Sequence, residues 1–264
     1  DHFKAADTAT VTTAVVEEAP QTVEPITSRL KARPSLDEQP QAQAESADED
    51  IAIIGIAGRY PMADSMEELW QRLHAGESCI SEADWARWRH AVNNDLTSLK
   101  PEDAPCYGGF LKQIDRFDYQ LFNLPREQVL ELPIELRVFL EIAWETFDDA
   151  GYSQQGLDRL QQHTEQGIGL FVGAMYNQYA WTMPSFEEAV LNSNSSDWQI
   201  PNRVSHFFNL TGPSIAVNTA CSSSLTAIHL ACESLKQKNC PMALAGGVNL
   251  TLDPSKFEAL SQAN

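Results

Sequence analysis

The chain has 264 residues, 43% of them hydrophobic, which is enough to bury one sizeable core. The 37 Asp and Glu residues outnumber 18 Lys and Arg, and the formal net charge of −19 argues against nucleic acid or an anionic membrane as partner. The sequence contains no run of 18 apolar residues, the length needed to span a membrane. The five cysteines form no CxxC pair, so we expect free thiols, no metal site and a cytoplasmic location.

Residues 1–49 have the composition of a flexible linker. They contain no Gly, Cys or Trp, a single aromatic residue (Phe3), and prolines at four spaced positions. Such a segment cannot bury enough apolar surface to offset the entropy of ordering it. We predict a flexible interdomain linker over 1–49 and a globular part over 50–264. On composition alone, plain disorder without a tethering role is equally open.

The first globular elements are a strand and a helix. Ile51 to Ile56 is a nearly continuous apolar run ending near Gly58, which predicts a buried strand followed by a tight turn. Met66 to His74 has helical periodicity. Its predicted core face comprises Met66, Leu69, Trp70 and Leu73. Glu127 to Ala150 predicts the longest helical stretch, interrupted at Pro133.

The second half alternates strands and helices. Ile168 to Gly173 predicts a buried strand, and Met242 to Leu252 predicts a further strand that contains Gly246-Gly247. A helix is predicted from Pro254 to Ala263.

The most informative stretch runs from Pro213 to Gln237. Ser214 to Val217 predicts a short buried strand, and helical periodicity begins at Ser222. Leu225, Ile228, Cys232 and Leu235 form one apolar face, and Ala227, Leu230 and Ala231 a second face of small or apolar residues.

Cys221 lies at the joint between this strand and this helix. The first N–H groups of a helix lack intrahelical partners and carry the positive end of its dipole, so they favour a thiolate and can hold an oxyanion. Serines 222–224 are expected to cap the free amides. A buried structural cysteine is the alternative, and the local pattern alone leaves it open.

The segment GPSIAVNTACSSSLTAIHLACESL resembles the active-site segment of β-ketoacyl synthases, specifically the ketosynthase domains of modular polyketide synthases. Further similar segments follow in the family's order from residue 50 to 264, among them DIAIIGIAGRYP, YGGFL, LRVFLEIAWETFDDAGY and PNRVSHFFNLTGPS. MYNQY and AGGVNLTLDPSKF are similar to synthases served by separate acyltransferases. The resemblance implies the N-terminal half of a layered, thiolase-like α/β fold.

The resemblance also implies roles for residues. Cys221 would be the nucleophile that accepts an acyl chain from a carrier-protein phosphopantetheine, with its backbone N–H as an oxyanion donor, before a decarboxylative Claisen condensation. Met175, Tyr176 and Asn177 would lie near the acyl-binding tunnel, with an aromatic surface loop as the alternative. No bound cofactor is implied. The expected partners are an acyl carrier protein and a second copy of a completed ketosynthase.

The two histidines that the family uses for decarboxylation lie well downstream of the Cys. His229, eight residues after Cys221 on one predicted helix, would be about 12 Å further along its axis. We therefore expect the chain to need a C-terminal half, either because the domain is split or because the fragment is incomplete. The alternatives are a non-elongating ketosynthase that only transfers acyl groups, a docking or scaffold piece and, more remotely, a Cys–His hydrolase.

The chain departs from the family pattern at a few places. Asn218 stands where the family usually has Asp, and Pro201 where a small residue is usual. Leu132-Pro133-Ile134 replaces Asp-Pro-Gln. The asparagine at position 218 keeps open the alternative of a non-elongating ketosynthase that only transfers acyl groups.

Overall fold

The computed structural model describes residues 50–88, 106–175, 178–179 and 196–262. All of them lie in one compact unit, Glu49–Asn264. The predicted linker over 1–49 lies outside the described residues.

The described residues form seven helices, a 3₁₀ turn and five strands. The helices are α1 (Met66–Ala75), α2 (Arg126–Glu131), α3 (Ile134–Asp149), α4 (Gln154–His163), α5 (Gln199–Phe207), α6 (Ser223–Lys236) and α7 (Ser255–Gln262), with a 3₁₀ turn at Trp85–Trp88. The strands are β1 (Ser81–Glu82), β2 (Tyr107–Gly108), β3 (Gly169–Ala174), β4 (Ser214–Val217) and β5 (Ala243–Val248).

The centre of the unit is a parallel sheet of three strands in the order β4-β3-β5. Phe171 of β3 is paired with Ile215 of β4 on one side and with Ala245 of β5 on the other. Every residue of β3 is buried, as expected for the middle strand of a parallel sheet. A separate two-stranded antiparallel sheet joins β1 and β2.

Helices cover both faces of this sheet. Leu170 and Val172 of β3 point into the larger core, which is formed with α3 and α5. Phe171, which points to the other face, packs with Ala227 and Ala231 of α6. The sheet is therefore the middle layer of a helix–sheet–helix arrangement, and α6 alone covers the second face among the described residues.

The predicted interruption at Pro133 is confirmed. Helix α2 ends at Glu131 and α3 begins at Ile134, with Pro133 buried between them. Proline cannot donate a backbone hydrogen bond, so the ladder breaks there. Leu132 is also buried, which gives the apolar replacement of the family's Asp-Pro-Gln a packing role in the larger core.

The prediction of a buried strand over Ile51 to Ile56 is wrong. These residues form no strand, and Ile53 is 86% exposed. The segment instead runs along the end of α3, where the Ile56 N–H donates to Asp149 Oδ2 (2.8 Å) and Gly55 abuts the Thr146 carbonyl. A strand needs a neighbouring strand to bond with, and none of the described residues supplies one at this position.

Helix α1 forms where predicted, but its apolar face is not core. Ser65 caps its start by accepting the Glu68 N–H (3.2 Å), and Gly76 ends it in the left-handed conformation (φ 69°). Trp70 and Leu73 are more than 60% exposed. The periodicity therefore predicted the helix correctly and its burial wrongly.

Candidate active site

Three loops meet at the carboxyl edge of the central sheet. The strands are parallel, so the segments that follow Ala174 of β3, Val217 of β4 and Val248 of β5 all emerge at this edge. Ligand and active sites of open α/β sheets form at such edges. Cys221 lies on the loop after β4, and Met175 on the loop after β3.

Cys221 is exposed and lies in a tight turn between β4 and α6. The preceding residue, Ala220, has a left-handed backbone (φ 56°), a conformation that costs about 1 kcal/mol for a residue with a Cβ. Such strain persists only where the surrounding structure imposes it, and it is most frequent at functional sites. Among the described residues, nothing buries the Cys221 side chain.

Hydroxyl groups hold this turn together. Ser223 Oγ accepts the Thr219 N–H (2.9 Å) and donates to the Ala220 carbonyl (2.6 Å). Ser222 Oγ donates to the Thr219 carbonyl (2.9 Å). These hydrogen bonds connect the residues on both sides of Cys221 and hold Ala220 in its left-handed conformation.

The expected role of these serines therefore needs correction. We predicted that they cap the free amides of α6, yet Ser222, the N-cap residue, makes no side-chain capping bond. Its backbone (φ −91°, ψ 1°) is not the extended conformation of a capping residue. Its hydroxyl points back to Thr219 and stabilises the turn instead of the helix end.

Two glycines allow α6 to begin directly on the sheet. A Cβ on Gly173 of β3 would lie 2.6 Å from the Ser224 nitrogen, and one on Gly247 of β5 would lie 3.0 Å from Ser224 Cβ. The first turn of α6 therefore rests against the backbone of two strands. The position of Cys221 depends on this close approach.

A buried polar cluster ties the loops together at the same edge. Glu135, only 2% exposed, accepts the Gln178 N–H at Oε1 (3.3 Å), and Gln178 Oε1 accepts the backbone N–H of Leu252 (2.9 Å) and of Asp253 (3.3 Å). These bonds join the start of α3, the loop after β3 and the loop after β5. Burial raises the pKa of Glu135 to about 7.

The other predicted site residues are placed as follows. Met175 is half-buried directly after β3. Tyr176 and Asn177 lie outside the described residues. No group of three or more His, Cys, Asp and Glu side chains that could hold a metal occurs within the described ranges. Over the same ranges, no helix is long and apolar enough to cross a membrane.

The family model for the β-ketoacyl synthase N-terminal domain matches residues 48–264. The chain belongs to the β-ketoacyl synthase family. Polyketide synthase PksR of Bacillus subtilis is 59% identical over 222 residues, which are 83% of this chain and 9% of PksR. Polyketide synthase PksL of the same organism is 44% identical over 236 residues, which are 87% of this chain and 5% of PksL.

Solved ketosynthases share the fold. The oxazolomycin ketosynthase domain OzmH KS7 of Streptomyces albus superposes with a TM-score of 0.67 at 36% identity, covering 80% of this chain and 37% of that one. The ketosynthase from module 6 of the bacillaene synthase of Bacillus subtilis gives 0.66 at 34% identity, covering 80% and 34%. The predicted thiolase-like fold is thereby confirmed, and the chain spans about a third of these ketosynthases.

Two parts of the site were not foreseen from the sequence. One is the link from Glu135 through Gln178 to Leu252, and the other is a contact between Asn218 and Asp197. The paired residues are 21 to 74 positions apart, so no local pattern reveals them. The polar residues at predicted strand ends were the only available signal.

Proposed function

We propose that this chain is the nucleophile-bearing half of a polyketide synthase ketosynthase, of the type served by separate acyltransferases. In this proposal Cys221 accepts an acyl chain from a carrier-protein phosphopantetheine. The observation that supports it best is the exposed thiol on a strained turn at the start of α6. A nucleophile held in such a turn is open to a large thioester on one side and fixed by the sheet on the other.

The first step is a thioester exchange. The Cys221 thiolate attacks the acyl carbonyl carbon, the backbone N–H of Cys221 donates to the oxyanion, and the pantetheine thiolate leaves and takes up a proton. The acyl group is then carried on Cys221, and no bound cofactor is needed. Met175, Tyr176 and Asn177, which belong to the loop after β3, would line the path of the acyl chain.

The second step joins two carbon units. A malonyl group on a carrier protein loses carbon dioxide, its enolate attacks the acyl carbon, and the Cys221 thiolate leaves. Groups that stabilise the enolate oxygen are required for this step. His229 and His206 are exposed on α6 and α5, and His229 lies about 12 Å along the helix from Cys221. We therefore assign the stabilising histidines to a C-terminal half.

The exposed face of α6 supports such a partner. Leu225 is 71% exposed and Ile228 is 46% exposed, on the side of α6 away from the sheet. Ile215 on β4 is also exposed. Each Leu or Ile side chain left in water forfeits about 1.5–3 kcal/mol of burial energy. A C-terminal half that covers this face would place α6 between two sheets, and two completed copies would form a homodimer.

A single test distinguishes the proposed function from two other functions. A transfer-only ketosynthase would load an acyl chain and not extend it, whereas a docking or scaffold piece would not load one. The test supplies the assembled protein first with an acyl-loaded carrier protein and then with a malonyl-loaded one, and follows both chains by mass spectrometry. Loading followed by a two-carbon extension is the expected result.

Variants at two cysteines of α6 and its turn sharpen this test. Cys221→Ala should abolish loading. Cys232→Ala is the matched control, because Cys232 is half-buried further along the same helix and should load normally. Loading of the Cys221→Ala protein would contradict the proposal, and loading of the unmodified protein without extension would favour the transfer-only function.

A further inference from the structure

Helix α5 and strand β4 lie side by side and run in opposite directions. At the beginning of β4, Ser214 is bonded to two residues of α5: Ser205 Oγ donates to its Oγ (2.9 Å), and this Oγ donates to Asn202 Oδ1 (3.1 Å). Beyond the end of β4, Asn218 Nδ2 donates to Asp197 Oδ2 (3.2 Å), which immediately precedes α5. The helix is therefore tied to the strand at both ends.

The lengths of the two elements agree with this arrangement. Eight residues separate Asp197 from Ser205, which is about 12 Å at the helical rise. Four residues separate Ser214 from Asn218, which is about 13 Å along a strand. The helix thus spans the strand from its first residue to the turn that carries Cys221.

Asn218 bonds in two directions at once. Its Oδ1 accepts the N–H of Ala220 (3.3 Å), the left-handed residue next to Cys221, while its Nδ2 donates to Asp197. An amide is the side chain that can accept from the turn and donate to a carboxylate simultaneously. A carboxylate at 218 would still accept from Ala220, but it would face the Asp197 carboxylate.

Asp197 is also a fixed negative charge. It stands just before the N-cap residue of α5, where the positive end of the helix dipole favours a carboxylate. Its charge is felt by Glu135 at the start of α3, whose pKa it helps to raise after the larger effect of burial. A second carboxylate beside Asp197 is therefore unfavourable here.

We propose that Asn218 and Asp197 form a positioning pair through which α5 holds the Cys221 turn, and that asparagine at 218 is required because Asp197 faces it. This inference rests on the proposed role of Cys221 as nucleophile. It gives a structural reason for asparagine at 218, the position at which the family usually has Asp. The pair acts on the geometry of the thiol and does not touch the substrate.

Reciprocal substitution in the full chain tests this pair. Asn218→Asp should slow the alkylation of Cys221 by iodoacetamide at least about fivefold at neutral pH. Two carboxylates about 4 Å apart repel by about that factor even at the dielectric constant of bulk water, and more strongly beside the protein. Asp197→Asn should react nearly as fast as the unmodified protein, because an amide can still accept from Asn218. The double variant restores one amide facing one carboxylate and should recover the original rate.

The recovery separates positioning from a general loss of structure. Thermal unfolding of all four proteins shows whether each is folded, and a merely destabilising change at 218 would not be rescued by a second change at 197. Asn218→Asp alkylated at the unmodified rate, or a double variant as slow as Asn218→Asp, would overturn the proposal. Alkylation requires no carrier protein, so failure of acyl loading would refute the proposed function and leave this result standing.

Discussion

Gly173 is the position at which a single methyl group should disturb the turn that carries Cys221 most. It lies on β3, beneath the first turn of α6, and a Cβ there would be 2.6 Å from the Ser224 nitrogen and 2.7 Å from the Ser223 carbonyl carbon. Both atoms belong to the backbone, so no side-chain rotation can relieve the overlap. Gly173→Ala must therefore push the start of α6 away from the sheet.

The size of the effect follows from these distances. Ordinary contact begins at 3.4 Å, so the helix start must move by about 0.8 Å. Forcing an extra methyl group into a packed site costs about 1–3 kcal/mol in the free energy of unfolding. A displacement of about 1 Å at a catalytic group costs on the order of a hundredfold in rate. We expect losses of this size in stability and in acyl loading of Cys221.

Gly246→Ala is the matched control for this substitution. Gly246 lies on β5, and its added Cβ would meet only the ring of Phe139, at 3.2 Å and 3.5 Å. The ring can shift by a few tenths of an ångström, so loading should stay near the original rate. Loading is measured as the rate of thioester formation from an acyl-loaded carrier, and stability by urea unfolding. A folded Gly173→Ala protein that loads at the original rate, or equal losses in both variants, would refute the reasoning.

Three further predictions concern burial. Glu135 is buried and has its pKa raised to about 7, so between pH 4.5 and 7 the folded state retains a proton that the unfolded state has lost. The unfolding free energy of Glu135→Gln relative to the unmodified protein should therefore rise by up to about 3 kcal/mol over this window and level off above it; a pH-independent difference in urea unfolding would contradict this. Limiting iodoacetamide should modify exposed Cys221 before buried Cys106 and Cys240, as judged by peptide mass spectrometry. Burial also raises the pKa of Cys106, which slows its reaction further. Early labelling of Cys240 would contradict its buried position. The isolated chain should bind the dye ANS through the exposed face of Leu225 and Ile228, and the C-terminal half should suppress this fluorescence; an isolated chain that binds no dye would contradict the proposed interface.

Local patterns predicted most of the elements and the position of Cys221 between a strand and a helix. The apolar run before Cys221 and the helical periodicity after it predicted β4 and α6, and the proline at 133 predicted the break before α3. These features depend on neighbours in the sequence. The left-handed backbone of Ala220 was not predicted and is known only from the structure.

Burial was harder to predict, because it depends on which other elements of the fold pack against a residue. The apolar residues of Ile51–Ile56 and of the Leu225 face could be identified from the sequence, but the described residues include no element that covers them. The serines after Cys221 were correctly placed at the helix start, yet their backbone angles direct the hydroxyls into the turn. Contacts between loops, such as that of Gln178 with Leu252, require the fold itself.

The identity of the acylated residue tests the central claim most directly. The assembled protein is incubated with an acyl-loaded carrier protein, digested, and the peptide that carries the acyl mass is sequenced by tandem mass spectrometry. The account predicts a thioester on Cys221, the exposed thiol at the start of α6. A stable acyl group on Cys79, Cys232 or any other residue, with Cys221 unmodified, would contradict it.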